Sequence, residues 1–376
     1  MKRPTTPVVN KPTIVQLAPY YPPHTGGLEN VARAISRQLA ADGFDVRVIT
    51  ARLPRSAAAK EVKGHLTVRR LRAYYFAHTP FMPGLLRALW ATPKHSIFHI
   101  HLGVFGLQDM AALVARLRGI PTVMHFHLDV GPSGPLGFIL RIYLRTLFKL
   151  TIRSGTVVIV FSKSQADLVV NKYGVRRDRI KILPNGVDPA FFTRTDRTVP
   201  KHTMRLLYVG RLTVQKRVER LIEALGRCSA PCELRIVGDG EDRAELEALV
   251  KLLGLENVSF VGERTGAALR REYARADALV MPSDKEGMSL VMLEAMAAGL
   301  PVIGSDVLGI REHLRGVGML VAAPSPTTFA GAIDAFYADR AVLIPRFAAA
   351  GRRQAAHYAW PQVVHHLEKI YEQVAS

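Results

Sequence analysis

Short runs rich in β-branched and other apolar residues recur along the chain, separated by stretches whose apolar positions fall three or four residues apart. In the first half the runs are TIVQLAP (13–19), DVRVIT (45–50), LTVRRL (66–71), SIFHIH (96–101), PTVMHF (121–126) and TVVIVFS (156–162). Intervening segments such as LENVARAISRQLAADG and QDMAALVARLRG have helical spacing and end at glycine. Strand–helix alternation of this kind predicts a parallel sheet. The pattern then begins again with MRLLYVG (204–210), ELRIVGDG (233–240), NVSFVG (257–262), ALVMPS (278–283) and LPVIGSD (300–306). The predicted fold class is therefore α/β, with two Rossmann-like parallel-sheet domains. NGVDPAFFTRTDRTVPKHT, irregular and polar, puts the boundary near residue 192, giving domains 1–192 and 193–376. For the final helix, about 358–376, a return to the first domain is left open. Ligands of open parallel sheets sit at the carboxyl ends of the strands, so two such sheets are expected to face each other across a cleft.

Length and composition agree with two cores: 376 residues, 48% of them hydrophobic. Charge changes the picture more. Residues 1–192 carry 27 Lys and Arg against 9 Asp and Glu, whereas residues 193–376 carry 24 against 22. Solubilising charge normally mixes both signs, so the first half is expected to meet an anionic partner: nucleic acid, an anionic membrane surface or a phosphorylated acceptor. Only two cysteines occur, Cys228 and Cys232 in RCSAPC. Without further cysteine ligands they make a poor metal site, and two spare thiols suggest a reducing, cytoplasmic compartment. The start, MKRPTTPVVNKPT, is broken by prolines and lacks an apolar core, so it reads as a short disordered tail and not as a signal peptide. No uncharged apolar run reaches the roughly 18 residues of a membrane span.

Candidate chemistry concentrates in PSDKEGMSLVMLEAMAAGLPVIGSD. Loop punctuation up to Met288 gives way to helix formers, so a helix is predicted to start near Ser289, with Glu286 in the loop before it and Glu294 on its second turn. The backbone N–H groups of Gly287, Met288, Ser289, Leu290 and Val291 lie between the two carboxylates, at the positive end of the helix dipole. Such amides bind an anion, most readily phosphate, while the flanking carboxylates suit hydroxyls on the same ligand. Phosphates in the middle and hydroxyls at both ends describe a nucleotide sugar. Gly26 and Gly27, after the first strand, let backbone approach a phosphate or sugar closely. Arg211 and Lys216 in VGRLTVQKR are placed to neutralise a diphosphate. The chain has no Asp-x-Asp pair, so no metal cofactor is expected, and fixed cations with helix amides would stabilise the leaving group.

These residues resemble the GT-B glycosyltransferases of the retaining family 4, from about Thr13 to Tyr371. The likeness rests on PPHTGGLENVARAISRQLAADGFDVRVIT, FSKSQADLVVNKYGVRRDRIKILPNGVD, YVGRLTVQKRVERLIEAL, LRIVGDG and the Glu-x7-Glu segment. It implies a hexosyltransferase that works with retention of configuration, the departing phosphate oxygen receiving the acceptor's proton. Position by position, it implies that Glu294 binds ribose hydroxyls, Glu286 donor-sugar hydroxyls, and the amides of Gly287 to Leu290 the sugar and diphosphate. Arg211 and Lys216 would hold the diphosphate, Gly27 would line the same site, and Val261, Gly262 and Glu263 would contact the base. His127 in HFHLD matches the family's histidine near the anomeric carbon. His99, His101 and His125 lie nearby; a His-x-His on a strand turns both rings to one face without itself supplying a third metal ligand. Three positions depart from the family pattern: Arg217 stands where glycine is usual, EGMS replaces EGFG, and VLG replaces a Gly-Gly pair.

For the acceptor the informative stretch is GPSGPLGFILRIYLRTLFKLTIRSG, read as a loop and one helix with Arg141, Arg145, Lys149 and Arg153 four residues apart beside an apolar surface. Either this is a core-facing helix with a solvated basic stripe, or it also meets an anionic bilayer. With the basic first half it points to a lipid-linked acceptor, in cell-envelope polysaccharide or glycolipid synthesis, and to peripheral attachment at the inner face of the cell membrane. The competing readings are a transferase with a soluble acceptor, a non-transferring enzyme such as a nucleotide-sugar epimerase, and a nucleic-acid-binding protein. The last fits poorly, since aromatic residues are only 7% and are not interleaved with the cations.

Overall fold

The computed structural model describes residues 11–76, 79–103, 105–129, 137–192 and 199–375. Residues 1–10 of the tail read at 1–13, and residues 131–136 of the Gly/Pro loop, lie outside them. The chain divides into two compact units, Met1–Leu183 with Val364–Ser376, and Pro184–Val363.

The first unit holds an eight-stranded sheet in the order Ile180–Ile182, Val157–Val160, Thr122–Phe126, Ser96–Leu102, Thr13–Leu17, Val46–Ala51, Leu66–Leu71, Lys60–Lys63. Neighbours are parallel except the last pair. Strands such as Thr122–Phe126 and Val157–Val160 are buried along their whole length, as a sheet covered on both faces requires. Val15, Phe98, Ile100, Phe126 and Val158 form the core with Leu107, Ala111 and Val114 of the helix Leu107–Arg118. The second unit repeats the plan with six parallel strands in the order Val258–Gly262, Cys232–Val237, Met204–Val209, Ala278–Met281, Val302–Ser305, Met319–Val321. Leu206, Tyr208, Leu234, Ile236, Val280 and Ile303 pack there against Leu221, Phe329 and Phe336. The two parallel sheets expected from the alternation are thus the observed ones.

The division falls at Leu183/Pro184 instead of residue 192, because the PNGVD stretch bonds within the second unit. Val187 N–H donates to the Tyr358 carbonyl at 2.7 Å, and Asn185 Nδ2 donates to the Met288 carbonyl at 2.8 Å. Of the last helix, Trp360–Ala375, the part from Val364 groups with the first unit, where the buried Tyr371 hydroxyl lies 2.5 Å from His99 Nδ1.

The expected single basic helix is two, Gly137–Arg145 and Leu147–Ser154. Thr146 between them leaves helical geometry (φ −116°, ψ −91°) while its hydroxyl donates to the Ile142 carbonyl at 2.8 Å, a back-bond that bends helices. Asp109 fixes both pieces, accepting from the Tyr143 hydroxyl at 2.9 Å and the Thr151 hydroxyl at 2.5 Å. The four cations consequently do not share one continuous stripe. Arg141, Arg145 and Arg153 are exposed, whereas Lys149 is half-buried with its Cε against Gly174.

Candidate functional site

In the second unit the loop after the strand Ala278–Met281 leads into the helix Leu290–Ala297, capped by Ser289, whose Oγ accepts from the Met292 N–H. Three separate segments hold that loop. Asn185 donates to the Met288 carbonyl; Gln215 Nε2 donates to the Lys285 carbonyl at 2.8 Å, and the Asp284 N–H returns a bond to the Gln215 carbonyl at 3.1 Å. From the third side Gly309 approaches so closely that a Cβ on it would lie 2.0 Å from the Gly287 carbonyl oxygen and 2.3 Å from that of Glu286. The glycine kept in VLG is therefore the one the loop needs, and the neighbouring Leu308 is exposed.

The two carboxylates sit in different electrostatic settings. Glu286 Oε1 accepts from Lys216 Nζ at 2.6 Å and from Ser283 Oγ at 2.8 Å, and its side chain is 8% exposed. Lys216, placed as a diphosphate cation by the sequence, is thus first the partner of Glu286. Among the described residues no cation pairs with Glu294. Burial pushes its carboxyl up to about 7, against the opposing pull of the Tyr273 hydroxyl donating at 2.8 Å; the negative charge of Asp188 adds to the rise. Arg211 is exposed just past the strand Met204–Val209, its carbonyl accepting from the buried Tyr208 hydroxyl at 3.1 Å. Arg217 explains the family's glycine: its backbone is left-handed (φ 53°, ψ 44°), and its guanidinium joins that of Arg220 on Asp284. Val261 and Gly262 end the strand Val258–Gly262, and Glu263 follows exposed.

In the first unit Gly26 caps the helix Gly27–Ala41. The buried Glu29 carboxylate lies against Gly26 and 2.9 Å from His24 Nδ1, so this helix start already meets a negative charge and favours hydroxyls over phosphate. A Cβ on the exposed Gly27 would meet no atom within 4 Å.

Strand register sets His101 beside His125, and the imidazoles of His125–His127, His99–His101, His101–His127 and His101–His125 stack with centroids 4.4 to 5.3 Å apart, while His99 and His125 are tilted at 5.2 Å. His125, on the adjacent strand, adds the third ring that the His-x-His pair does not itself supply, and one ring nitrogen of each lies within 4.8 Å of the others. Two hydrogen bonds link the rings, while the buried His125 Nε2 has no hydrogen-bond partner among the described residues. His99 Nε2 meets His125 Nδ1 at 3.0 Å, and His101 Nδ1 meets His127 Nε2 at 2.8 Å. Burial pushes His99 and His127 down to about 3, and His101 and His125 well below the usual range, so the column is neutral. Asn185 and Tyr273 escaped the sequence reading of the site, the first although it lies in the PNGVD motif and the second for want of a local signal; Gly309 was noted there only as the glycine left in VLG.

Two outcomes follow. Gly309→Ala should displace the Glu286–Gly287 backbone and lower stability by about 1–3 kcal/mol, the usual range for overpacking, while Leu308→Ala should change the urea midpoint little. Equal midpoints for Gly309→Ala and the parent would contradict the close approach. Glu294 gives a pH signature. Its folded carboxyl titrates near 7 against 4.5 when unfolded, so the folded protein holds a proton the unfolded chain has lost, and stability falls as pH rises between those values. The loss is at most about 1.4 kcal/mol per pH unit. Glu294→Gln should flatten the fall, read from denaturant melts below pH 4.5 and above pH 7.

The first half, residues 25–191, matches the model of "Glycosyltransferase Family 4", and residues 203–339 match "Glycosyl transferases group 1". The chain is 28% identical over 377 residues to a GDP-mannose-dependent alpha-mannosyltransferase of Mycolicibacterium smegmatis, covering 94% of this chain and 95% of that one. Among solved structures, sucrose-phosphate synthase from Thermosynechococcus elongatus superposes with a TM-score of 0.80 at 22% identity, covering 96% of this chain and 99% of its own. Anabaena HepE, solved in complex with UDP-glucose, superposes at 0.77 with 18% identity, covering 96% and 100%. With two parallel-sheet units, and a match to one glycosyltransferase model over each, the chain belongs to the family 4 glycosyltransferases and has the GT-B fold.

Proposed function

We propose that the protein moves a sugar, with retention of configuration and without a metal ion, from a nucleotide-sugar donor to a lipid-linked acceptor at a membrane surface. The observation that carries the donor assignment is the fixed loop and helix start between Glu286 and Glu294. Its amides, with Lys216 and Arg211, supply positive charge where a diphosphate leaves, which is the work a metal would otherwise do. A ribose diol would hydrogen-bond to Glu294, and Glu286, bonded to Lys216, would accept from sugar hydroxyls. The backbone at Val261, Gly262 and Glu263 would meet the base. In the first unit Gly26, Gly27 and His127 would meet sugar hydroxyls. The acceptor oxygen bonds to the anomeric carbon as the bond from that carbon to phosphate oxygen breaks, and the acceptor's proton passes to the leaving phosphate. A UDP-glucose complex of one neighbour and the GDP-mannose dependence of one relative support a nucleotide-sugar donor.

Support for a membrane-bound acceptor comes from the split basic segment. Phe138 and Leu150 are 72% and 65% exposed, and Ile142 and Leu147 are exposed with them, among the exposed Arg141, Arg145 and Arg153. Apolar side chains projecting between cations are what a peripheral protein presents to an anionic bilayer. Among the described residues no helix is long and apolar enough to cross a membrane.

A panel of UDP-, GDP- and ADP-sugars should include one that raises the melting temperature, and Glu294→Ala should weaken that donor by about 1–3 kcal/mol through lost ribose bonds. Glu286→Gln should chiefly slow transfer, and transfer should persist in excess chelator. Loss of turnover restored by Mg²⁺ or Mn²⁺ would overturn the metal-free reading. For the acceptor, the protein should float with vesicles containing anionic lipid at low salt and be released at high salt. Glu at Arg141, Arg145 and Arg153 together should abolish flotation and leave nucleotide binding intact; equal flotation of that variant would assign these helices to the fold alone.

A further inference from the structure

Gln16, on the first strand, lies beneath the histidine column and is fully buried. Its side-chain nitrogen is 3.0 Å from the Ala32 carbonyl oxygen and 2.6 Å from His101 Nε2. An amide nitrogen only donates, and the reverse orientation would press the amide oxygen against the Ala32 carbonyl with no proton between them. His101 Nε2 must therefore accept. In a neutral imidazole the other nitrogen then carries the proton, so His101 Nδ1–H donates to His127 Nε2 across 2.8 Å. That leaves the His127 proton on Nδ1. Gln165 Nε2, donating to the His127 carbonyl at 3.1 Å, fixes the backbone from which the ring projects.

We propose that Gln16 and His101 are positioning residues that lock His127 as its Nδ1–H tautomer, making it a fixed hydrogen-bond donor to a sugar oxygen and withholding it from service as a base at that nitrogen. The proposal rests on the reading of His127 as a sugar-site residue and adds the device that sets its polarity. Buried imidazoles with low proton affinity suit this task, because a neutral ring keeps one donor and one acceptor in a defined order. It also agrees with the leaving phosphate taking the acceptor's proton, since His127 Nδ1 has no lone pair to offer. His99 and His125 form a separate pair that ends on Tyr371, and they do not enter the chain from Gln16.

The test uses the full-length protein with ¹⁵N-labelled histidine rings, His127 being assigned by its absence from the spectrum of His127→Ala. The expected long-range ¹H–¹⁵N pattern shows Nδ1 protonated and Nε2 bare. Gln16→Glu, nearly the same shape, accepts where Gln16 donates, so it should reverse both rings and leave His127 Nδ1 bare. Gln16→Met, of similar volume and without a donor, should give a mixture, and it serves should the glutamate variant fail to fold. Nucleotide release from UDP-glucose or GDP-mannose, whichever the protein turns over, should fall about tenfold or more in kcat with KM for the donor changing less, the loss of one good hydrogen bond in transfer. A His127 protonated on Nε2 in the parent, or an unchanged tautomer in both Gln16 variants, overturns the relay. A reversed tautomer with full kcat, beside an inactive His127→Ala, overturns its importance for transfer. Full activity in His127→Ala instead overturns the sugar-site reading and leaves the tautomer result standing.

Discussion

Everything proposed for the second unit depends on one constraint: the backbone from Lys285 to Ser289 has to be held still. Helix N–H groups attract an anion only if they converge on it before it arrives, and a loop of Glu, Gly, Met and Ser has no conformational preference strong enough to arrange that. The structure supplies the order from outside the loop. Asn185 holds Met288, Gln215 holds Lys285 and Asp284, and Gly309 closes on Glu286 and Gly287. These contacts come from segments distant in sequence and join at the carboxyl end of the parallel sheet, where open α/β folds bind ligands.

The same order sets the charges. Two glutamates a turn or two apart could both be ionised and repel a diphosphate together. Instead Glu286 is paired with Lys216 and accepts from Ser283, while Glu294, with no cation partner among the described residues, is buried so that its carboxyl titrates near 7. A diol that hydrogen-bonds to Glu294 lowers that value, so ligand binding and proton release are linked at this residue. In the first unit the logic is the opposite: cations crowd the exposed helices Gly137–Arg145 and Leu147–Ser154, and the buried histidines are held neutral.

Much of this was legible in the chain, and the limits have physical causes. Buried interior strands announce themselves by their β-branched and apolar residues, which is why DVRVIT and TVVIVFS fell on Val46–Ala51 and Val157–Val160. Edge strands of three or four residues, such as Lys60–Lys63, Ile180–Ile182 and Met319–Val321, are too short to show a period. The break at Thr146 was invisible because a threonine in a helical pattern gives no sign of which carbonyl its hydroxyl will take. The start of the helix at Leu290 was legible from Ser289. What could not be read were pairings across the fold: Lys216 with Glu286, Tyr273 with Glu294, and His125 beside His99 and His101. Each joins residues at least 21 apart in sequence, so only the assembled fold determines it.

The central claim is that the amides between Glu286 and Glu294 hold the phosphates of a nucleotide sugar. Hydrogen–deuterium exchange of the intact protein measures those N–H groups directly. Addition of the donor that raises the melting temperature should slow exchange at Gly287 through Val291, and the slowing should shrink in Glu294→Ala at the same donor concentration. Unchanged exchange across this segment at saturating donor, with protection appearing elsewhere, would contradict the account.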